Sequence, residues 1–292
     1  MKTKILAIFL AIAGISACKP TYRKETLRES VHDLARKETG MDVEVTEVGR
    51  TLGLRFRVPD LVGDISSGDD SLYKKMNSLF LVLVRVALSS DVPPRFIVLD
   101  VMDEERPVFH LVFTRYVEDV RRSMAEAISY TDSQDRLLEE IVVGTRRVPF
   151  DPFEIDLVRL VMMSADTAAN PPAAGPFVLD EVQFDDFFSK VTENKARRIF
   201  RERKDTKNDL MLREVRASFA GKPEKPGSFN ILLDLVSTSG PAPSLALLEK
   251  VMPVIASEAG KLFESYRLEG TSIIQVVEKN TGKMVSVPAV HR

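Results

Sequence analysis

The sequence contains few of the residues that carry covalent and metal chemistry. Of its 292 residues only Cys18 is a cysteine, three are histidines and none is a tryptophan. A single cysteine cannot form a disulfide within the chain, so packing must stabilise the fold. It also cannot supply the several ligands of a Cys/His zinc site, and the missing tryptophan argues against a site that stacks on sugars. These absences leave few starting points for an enzyme.

The three histidines are not spaced as metal ligands. His32 falls on a predicted helix, His110 lies in the middle of a predicted strand, and His291 is the penultimate residue. The chain also lacks the G-x-S-x-G turn, the Walker loop and the G-x-G-x-x-G turn. His110 could act as a base oriented by Asp100 across a predicted hairpin, but no nucleophile is placed beside them. We therefore favour a structural histidine on the wetter face of a sheet, and we predict no catalytic residue.

One predicted loop concentrates carboxylates. Asp60, Asp64, Asp69 and Asp70 surround Gly68, an arrangement that could hold Ca²⁺. The loop has neither the D-x-D-x-D-G register nor the closing glutamate of a calcium-binding loop, which favours a solvated loop. We predict no metal site and no bound cofactor.

The charge of the chain is close to balanced, with a formal net charge of −2 at pH 7. This balance gives no electrostatic footprint for nucleic acid. The densest basic run consists of Lys195, Arg197, Arg198, Arg201, Arg203 and Lys204. Such a run could contact anionic lipid, lipopolysaccharide or the carboxylates of peptidoglycan. The alternative, which we favour, is a solvated face at the C-terminal end of a helix, where cations interact favourably with the helix dipole.

The N-terminus has the layout of a secretory signal peptide. Lys2 and Lys4 are followed by an apolar run from Ile5 to Ile15 and then by small residues. This run is shorter than the roughly 20 apolar residues that a membrane-spanning helix needs. We predict that residues 1–17 are a signal peptide.

The residues Ile15-Ser16-Ala17-Cys18 resemble the lipobox of bacterial lipoproteins, which reads aliphatic, small, small, cysteine. The resemblance implies that the Cys18 thiol carries a diacylglyceryl group, that cleavage occurs before Cys18, and that the new amino group is also acylated, for example with palmitate. Two or three acyl chains anchor a protein stably, whereas one does so only marginally. Lys19, in place of the aspartate that retains lipoproteins at the inner membrane, favours the outer membrane with the protein facing the periplasm. The alternatives are a plain signal peptide with a chance cysteine, or an uncleaved anchor.

The rest of the chain shows one order of elements twice: helix, hairpin, helix, hairpin. Apolar residues recur at helical spacing in the predicted helices and alternate with polar residues in the predicted strands. We predict an α+β fold of two related domains, residues 22–115 and 179–292, each with helices packed on an antiparallel sheet. Because residue identity between the halves is low, the prediction is a structural repeat and not a demonstrated duplication.

The sequence predicts two helices and four strands in each domain. In the first domain they are a helix from Tyr22 to Thr39, strands on either side of Gly49-Arg50, a helix from Ser71 after the loop 63–70, and strands Phe96–Met102 and Pro107–Thr114. In the second they are a helix from Phe184 to Lys204, strands Leu210–Ala220 and Ser228–Ser237, a helix from Ser244, and strands Thr271–Glu278 and Lys283–Val290. Asn280-Thr281-Gly282 is the clearest turn signal.

Between the domains we predict a helical connector, residues 116–165. Thr131–Gln134 resembles a capping box before a helix, and Asp151-Pro152 is a favourable start for another. Residues 166–178, rich in proline and alanine, are predicted to be the linker to the second domain. At the N-terminus of the predicted mature chain, residues 18–21 form only a short tether between the lipidated cysteine and the first helix.

These features favour a non-catalytic, lipid-anchored protein of the bacterial cell envelope that acts through protein contacts, as an accessory, assembly or scaffold subunit. Its predicted partners are the membrane, through the acyl chains, and an envelope protein or a second copy of the chain. This arrangement is similar to that of ring-forming secretion lipoproteins, which also join a lipobox to paired small α+β modules. The alternatives are a periplasm-facing binding module for a lipidic or small ligand and, less favoured, a hydrolase.

Overall fold

The computed structural model describes residues 21–68, 70–150, 179–202, 210–220, 227–237, 243–268 and 271–289. The chain divides into two compact units, Met1–Glu181 and Val182–Arg292. The predicted signal peptide, the lipobox cysteine and the predicted linker 166–178 lie outside the described residues, as does the predicted helix start at Asp151-Pro152.

The first unit is a six-stranded sheet with helices. Its elements are α1 (Leu27–Thr39), β1 (Glu44–Val48), β2 (Thr51–Val58), α2 (Leu61–Ser67), α3 (Asp70–Leu88), β3 (Phe96–Asp103), β4 (Phe109–Tyr116), α4 (Val117–Met124), α5 (Tyr130–Asp135), β5 (Leu138–Val143) and β6 (Arg146–Pro149). The strands lie in chain order across the sheet. Neighbouring strands are antiparallel except β2 and β3, which are parallel.

The core of the first unit lies between one face of the sheet and helices α1 and α3. Leu27, Val31 and Ala35 are spaced four apart on α1, so they share one face of the helix, and all three are fully buried. Helix α1 ends where Gly40 adopts a left-handed conformation, with φ of 70°. The strands contribute the residues that alternate toward this face; they are Leu52, Leu54, Phe56, Val58, Ile97, Leu99, Val101, Phe109, Leu111 and Phe113.

The second unit is a four-stranded sheet with two long helices. Its elements are α6 (Phe184–Glu202), β7 (Leu210–Ala220), β8 (Gly227–Ser237), α7 (Leu245–Tyr266), β9 (Thr271–Glu278) and β10 (Met284–Pro288). The strands again lie in chain order, with β8 and β9 parallel and the other pairs antiparallel. Phe188 of α6 packs against Phe229 of β8 and Phe263 of α7, with ring centroids 5.3 and 4.8 Å apart. These aromatic contacts join both helices to one face of the sheet.

The mixed α+β fold with two sheet-based units is confirmed. The described part of the second unit has the order helix, two strands, helix, two strands, whereas the first unit has an additional helix, α2, before α3 and continues after β4 with α4, α5, β5 and β6. The prediction that each sheet is antiparallel was wrong. A helix that crosses over between the second and third strands returns the chain to the starting end of the sheet, so the third strand runs parallel to the second. Alternation of apolar residues marks a strand but carries no information about its direction.

Two local predictions in the first unit were also wrong. The predicted helical connector 116–165 begins with helices α4 and α5, but strands β5 and β6 follow them and extend the sheet beyond β4. Gly144, with φ of 60°, makes the turn between them, and pairing with β4 fixes a segment whose Leu138 and Ile141 had suggested a helix. The predicted loop at residues 63–70 contains most of α2, which Asp60 caps by accepting a hydrogen bond from the N–H of Gly63.

The predicted turn at Asn280-Thr281-Gly282 is present, and a buried carboxylate organises it. Glu278, fully buried at the end of β9, accepts hydrogen bonds from the N–H groups of Asn280 at 3.1 Å and Thr281 at 2.6 Å. The Thr281 hydroxyl donates to the same carboxylate at 2.7 Å. Burial alone would raise the pKa of Glu278, but these hydrogen bonds together outweigh it and hold the pKa below its ordinary value.

Glu278→Gln is expected to destabilise the second unit by about 1.5–3 kcal/mol, the usual range for hydrogen bonds to a charged group. Because the folded-state pKa of Glu278 is lowered, the wild-type protein is more stable than the variant above about pH 5. This difference in unfolding free energy is lost as pH falls through that pKa. Urea unfolding from pH 3 to 7 measures this. Glu249→Gln is the control. It removes the exposed α7 carboxylate that contacts Lys283 of the same hairpin and is expected to cost much less. Equal losses for both variants would contradict the prediction.

Candidate functional site

A polar cluster crosses three strands in the middle of the first sheet. Arg55 on β2 is aligned with Asp100 on β3, and His110 on β4 is aligned with Met102, two residues beyond Asp100. We call Arg55, Asp100 and His110 the sheet cluster. All three point away from helices α1 and α3, because their neighbours in each strand, such as Leu54 and Leu99, face the helical core.

Asp100 is the centre of the sheet cluster. Its Oδ2 accepts hydrogen bonds from Nε and Nη2 of Arg55 at 2.9 and 2.6 Å. Its Oδ1 lies 2.9 Å from Nδ1 of His110. The side chains of Arg55, Asp100 and His110 are only 10%, 6% and 15% exposed. The bidentate contact holds a charged pair inside the protein and orients the imidazole.

The contact of His110 with Asp100, which was part of the less favoured alternative, is found, whereas the wetter face that we favoured is not. Val98 and Met102 lie on the same face and are both buried. Within the described residues, His110 is hydrogen-bonded to Asp100, and no hydrogen bond joins its ring to a hydroxyl that could serve as a nucleophile. The described geometry is therefore that of a buried ion pair carrying a histidine.

Sequence analysis missed Arg55. The available signal was a charge in the middle of an apolar strand, Leu54-Arg55-Phe56, matched by Leu99-Asp100-Val101. A charge at such a position is buried only when it has a partner. The two patterns could not be joined without knowing that β2 and β3 are parallel neighbours.

The carboxylates near α2 bind an arginine. Arg106 contacts Asp60 at 3.0 Å and Asp103 at 3.1 Å. The hydrogen bond from Arg106, aided by that from the N–H of Gly63, holds the pKa of Asp60 below its ordinary value. Asp69 lies outside the described residues. Among the residues that the structure describes, no group of three or more His, Cys, Asp or Glu side chains is placed to hold a metal ion.

The described members of the predicted basic run lie on α6, and two of them form ion pairs with acidic residues. Lys195 lies 3.7 Å from Glu258 of α7, and Arg198 contacts Glu202 one turn later at 2.5 Å. The structure describes four members of the run, Lys195, Arg197, Arg198 and Arg201. Arg203 and Lys204 lie outside the described residues. These two pairs compensate the charges of Lys195 and Arg198.

A groove lies between α6 and α7 beside these pairs. It has a volume of about 300 Å³ and is lined by Lys195, Arg198, Ile199, Glu202, Val254 and Glu258. A lining that combines apolar and charged side chains suits an amphipathic ligand.

Glu193 on α6 faces the edge strand β7. Its carboxylate accepts a hydrogen bond from the N–H of Ala217 at 2.8 Å. Burial raises the pKa of Glu193, while that hydrogen bond and the nearby Arg197 and Lys190 act in the opposite direction. Because β7 is the last strand of the sheet, an N–H at this edge would otherwise be open to pairing with another chain.

Glu193→Gln is expected to gain stability relative to wild type as pH rises. A carboxyl group whose folded-state pKa is raised contributes most below its ordinary pKa of about 4.3, and that contribution is lost as pH rises through the raised value. Glutamine keeps an acceptor for the Ala217 N–H without a charge. Urea unfolding of both proteins at pH 4 and pH 8 measures the change. Glu202→Gln, at an exposed position on the same helix, is the control, and an equal pH trend in both variants would contradict the prediction.

The chain is fixed to the first unit from the last residue of the predicted tether, Thr21, onward. The N–H groups of Thr21 and Tyr22 donate to the carbonyl of Ser89 at 2.8 and 3.1 Å, and the N–H of Asp91 donates to the carbonyl of Tyr22 at 3.0 Å. The Lys24 N–H donates to the Asp91 carboxylate at 2.9 Å. The predicted helix from Tyr22 begins instead with a short 3₁₀ turn at Lys24–Thr26 and continues as α1 from Leu27. No sequence pattern indicated the contact with Ser89.

Comparisons with protein-family models, curated proteins and solved structures found no match to this chain. No helix among the described residues is both long and apolar enough to cross a membrane.

Proposed function

We propose that the protein is a lipid-anchored lipoprotein of the bacterial cell envelope, tethered through acyl chains on Cys18. The lipobox Ile15–Cys18 behind a signal-peptide layout is the observation that carries this proposal. In this proposal the folded domain starts three residues after the lipidated cysteine, because Thr21 is hydrogen-bonded to Ser89. Lys19 favours the outer membrane, with the protein facing the periplasm.

Within the envelope, the protein acts as a non-catalytic accessory or assembly subunit through protein contacts. The open face of the second sheet supports this role. Leu232, Ile273 and Met284 lie on the face opposite the buried row of Phe229 and Ile231, and they are 37%, 40% and 54% exposed. Exposed apolar side chains on a sheet face are typical of a surface that contacts another protein.

A photo-crosslinking amino acid placed at Leu232 or Ile273 in cells tests this role. We expect irradiation to give one discrete adduct that mass spectrometry identifies as an envelope protein or a second copy of the chain. The matched control is Lys261, an exposed position on α7, where no adduct is expected. No adduct at any position, together with a monomeric mass for the purified protein, would contradict the proposed role.

The groove between α6 and α7 supports a second candidate, a binding module for a lipidic or small ligand. Ile199 and Val254 would contact an apolar chain, while the ion pairs Lys195–Glu258 and Arg198–Glu202 offer polar partners for a headgroup. Native mass spectrometry after gentle extraction is expected to show a bound lipid if this is correct. A clean apo mass would argue against it.

A further inference from the structure

We infer that one defined end of the first unit faces the lipid headgroups. This end consists of Thr21–Lys24, the turn at Gly49-Arg50 and the segment Ser89–Arg95, and we call it the tether end. The inference rests on the proposed lipidation of Cys18 and adds an orientation to it.

The length of the tether limits how far this end can lie from the bilayer. Three Cα–Cα steps of 3.8 Å separate Cys18 from Thr21, so the two Cα atoms are at most about 11 Å apart. Thr21 is fixed by its hydrogen bond to Ser89, which closely follows the C-terminus of α3. A lipid-bearing Cys18 therefore brings the C-terminal end of α3 close to the headgroup region.

Backbone hydrogen bonds join the rest of the tether end to Thr21. Tyr22 contacts Asp91, and the N–H of Arg95 donates to the carbonyl of Arg50 at 2.6 Å, which brings the β1–β2 turn to the same end. The Arg50 guanidinium also lies 3.5 Å from the carbonyl of Pro93. These contacts make the segment a continuous part of the unit.

The chemistry of the tether end suits an anionic lipid surface. Arg23, Lys24 and Arg50 are exposed, and the Val92 side chain is 49% exposed. Asp91 and Glu181 are the acidic residues that contact this end. The Asp91 carboxylate accepts hydrogen bonds from the N–H groups of Lys24 and Val92, and Glu181 accepts one from the N–H of Arg50 at 3.1 Å, so the cations still outnumber the acids. Cations attract the headgroups of anionic lipids, and an exposed apolar side chain can enter the interface.

The opposite end of the sheet is then held away from the membrane. Strand β3 starts at Phe96, beside the tether end, and ends at Asp103, so its seven steps cover roughly 23 Å. Phe109, which follows the β3–β4 turn, pairs with Val143, so the β5–β6 turn with Thr145 lies at that far end. Thr145 is exposed and serves as the reference position.

Single-cysteine labelling of the lipidated protein tests the orientation. Because the Cys18 thiol is occupied by lipid, Val92→Cys, Arg23→Cys and Thr145→Cys each supply one reactive thiol. The labelled proteins are reconstituted in phosphatidylethanolamine and phosphatidylglycerol vesicles that contain a headgroup-linked quencher. We expect quenching at positions 92 and 23 to be several-fold stronger than at position 145, since contact quenching requires close approach. Two near positions keep the test valid if one variant does not fold.

Two readouts separate this inference from the proposed function. Intact mass and vesicle flotation are measured first, and a protein without lipid or without flotation overturns the proposed anchoring itself. If the protein is lipidated and floats, equal quenching at positions 92 and 145, or stronger quenching at 145, overturns the orientation alone.

Discussion

Replacing Cys18 with serine is expected to remove all lipid from the protein. The resemblance to bacterial lipoproteins implies a thioether to Cys18, and the chain has no second cysteine that could accept the lipid instead. Metabolic labelling with an alkyne analogue of palmitate should mark the wild-type protein and leave Cys18→Ser unlabelled. The intact mass of the variant should also show residues 1–17 still attached, because in such lipoproteins cleavage follows lipid attachment.

The control restores a thiol without restoring the lipobox. In Cys18→Ser combined with Ser67→Cys, the new cysteine stands at the exposed end of α2, far from the signal layout in the sequence. This double variant should remain unlabelled, which shows that the sequence around Cys18 and not the thiol alone directs the modification. Label on Cys18→Ser, or a wild-type mass that corresponds to an unmodified cysteine, would contradict the lipoprotein assignment.

The hairpins and long helices could be predicted because their signals are local. In α1, Leu27 and Val31 mark one helical face, and in β8 the alternation of Phe229 and Ile231 with polar residues marks a strand. At Asn280-Thr281-Gly282, the turn residues stand where the chain must reverse, and Gly282 adopts φ of 66°. Each of these signals depends on a few neighbouring residues, so it can be recognised without knowledge of the rest of the fold.

The missed features depend on contacts between distant segments. Strand β5 exists because it pairs with β4, and its sequence, with Leu138 and Ile141 three apart, also fits a helix. Arg55 and Asp100 are 45 residues apart, and they meet only because β2 and β3 are parallel neighbours. For the same reason, the contact of Thr21 with Ser89 could not be inferred from either segment alone.

Asp100→Ala is expected to destabilise the first unit by about 3–5 kcal/mol, the usual cost of removing one partner from a buried ion pair. The variant removes the carboxylate that accepts two hydrogen bonds from the Arg55 guanidinium and faces His110. Urea unfolding followed by circular dichroism measures the total loss. Hydrogen exchange of peptides from β3 and β4 locates it in the first unit.

Glu44→Ala is the matched control, because it removes a carboxylate from Arg57, the next arginine along β2. The Glu44 and Arg57 side chains are 36% and 41% exposed, so water replaces the lost contact and the expected cost is below about 1 kcal/mol. Both variants delete a carboxylate bound to an arginine of the same strand, and burial is the difference that sets the energy. If Asp100→Ala cost no more than Glu44→Ala, the sheet cluster would not stabilise the fold. Burying these charges would then cost free energy without stabilising the fold, and that result would point to a functional use of His110.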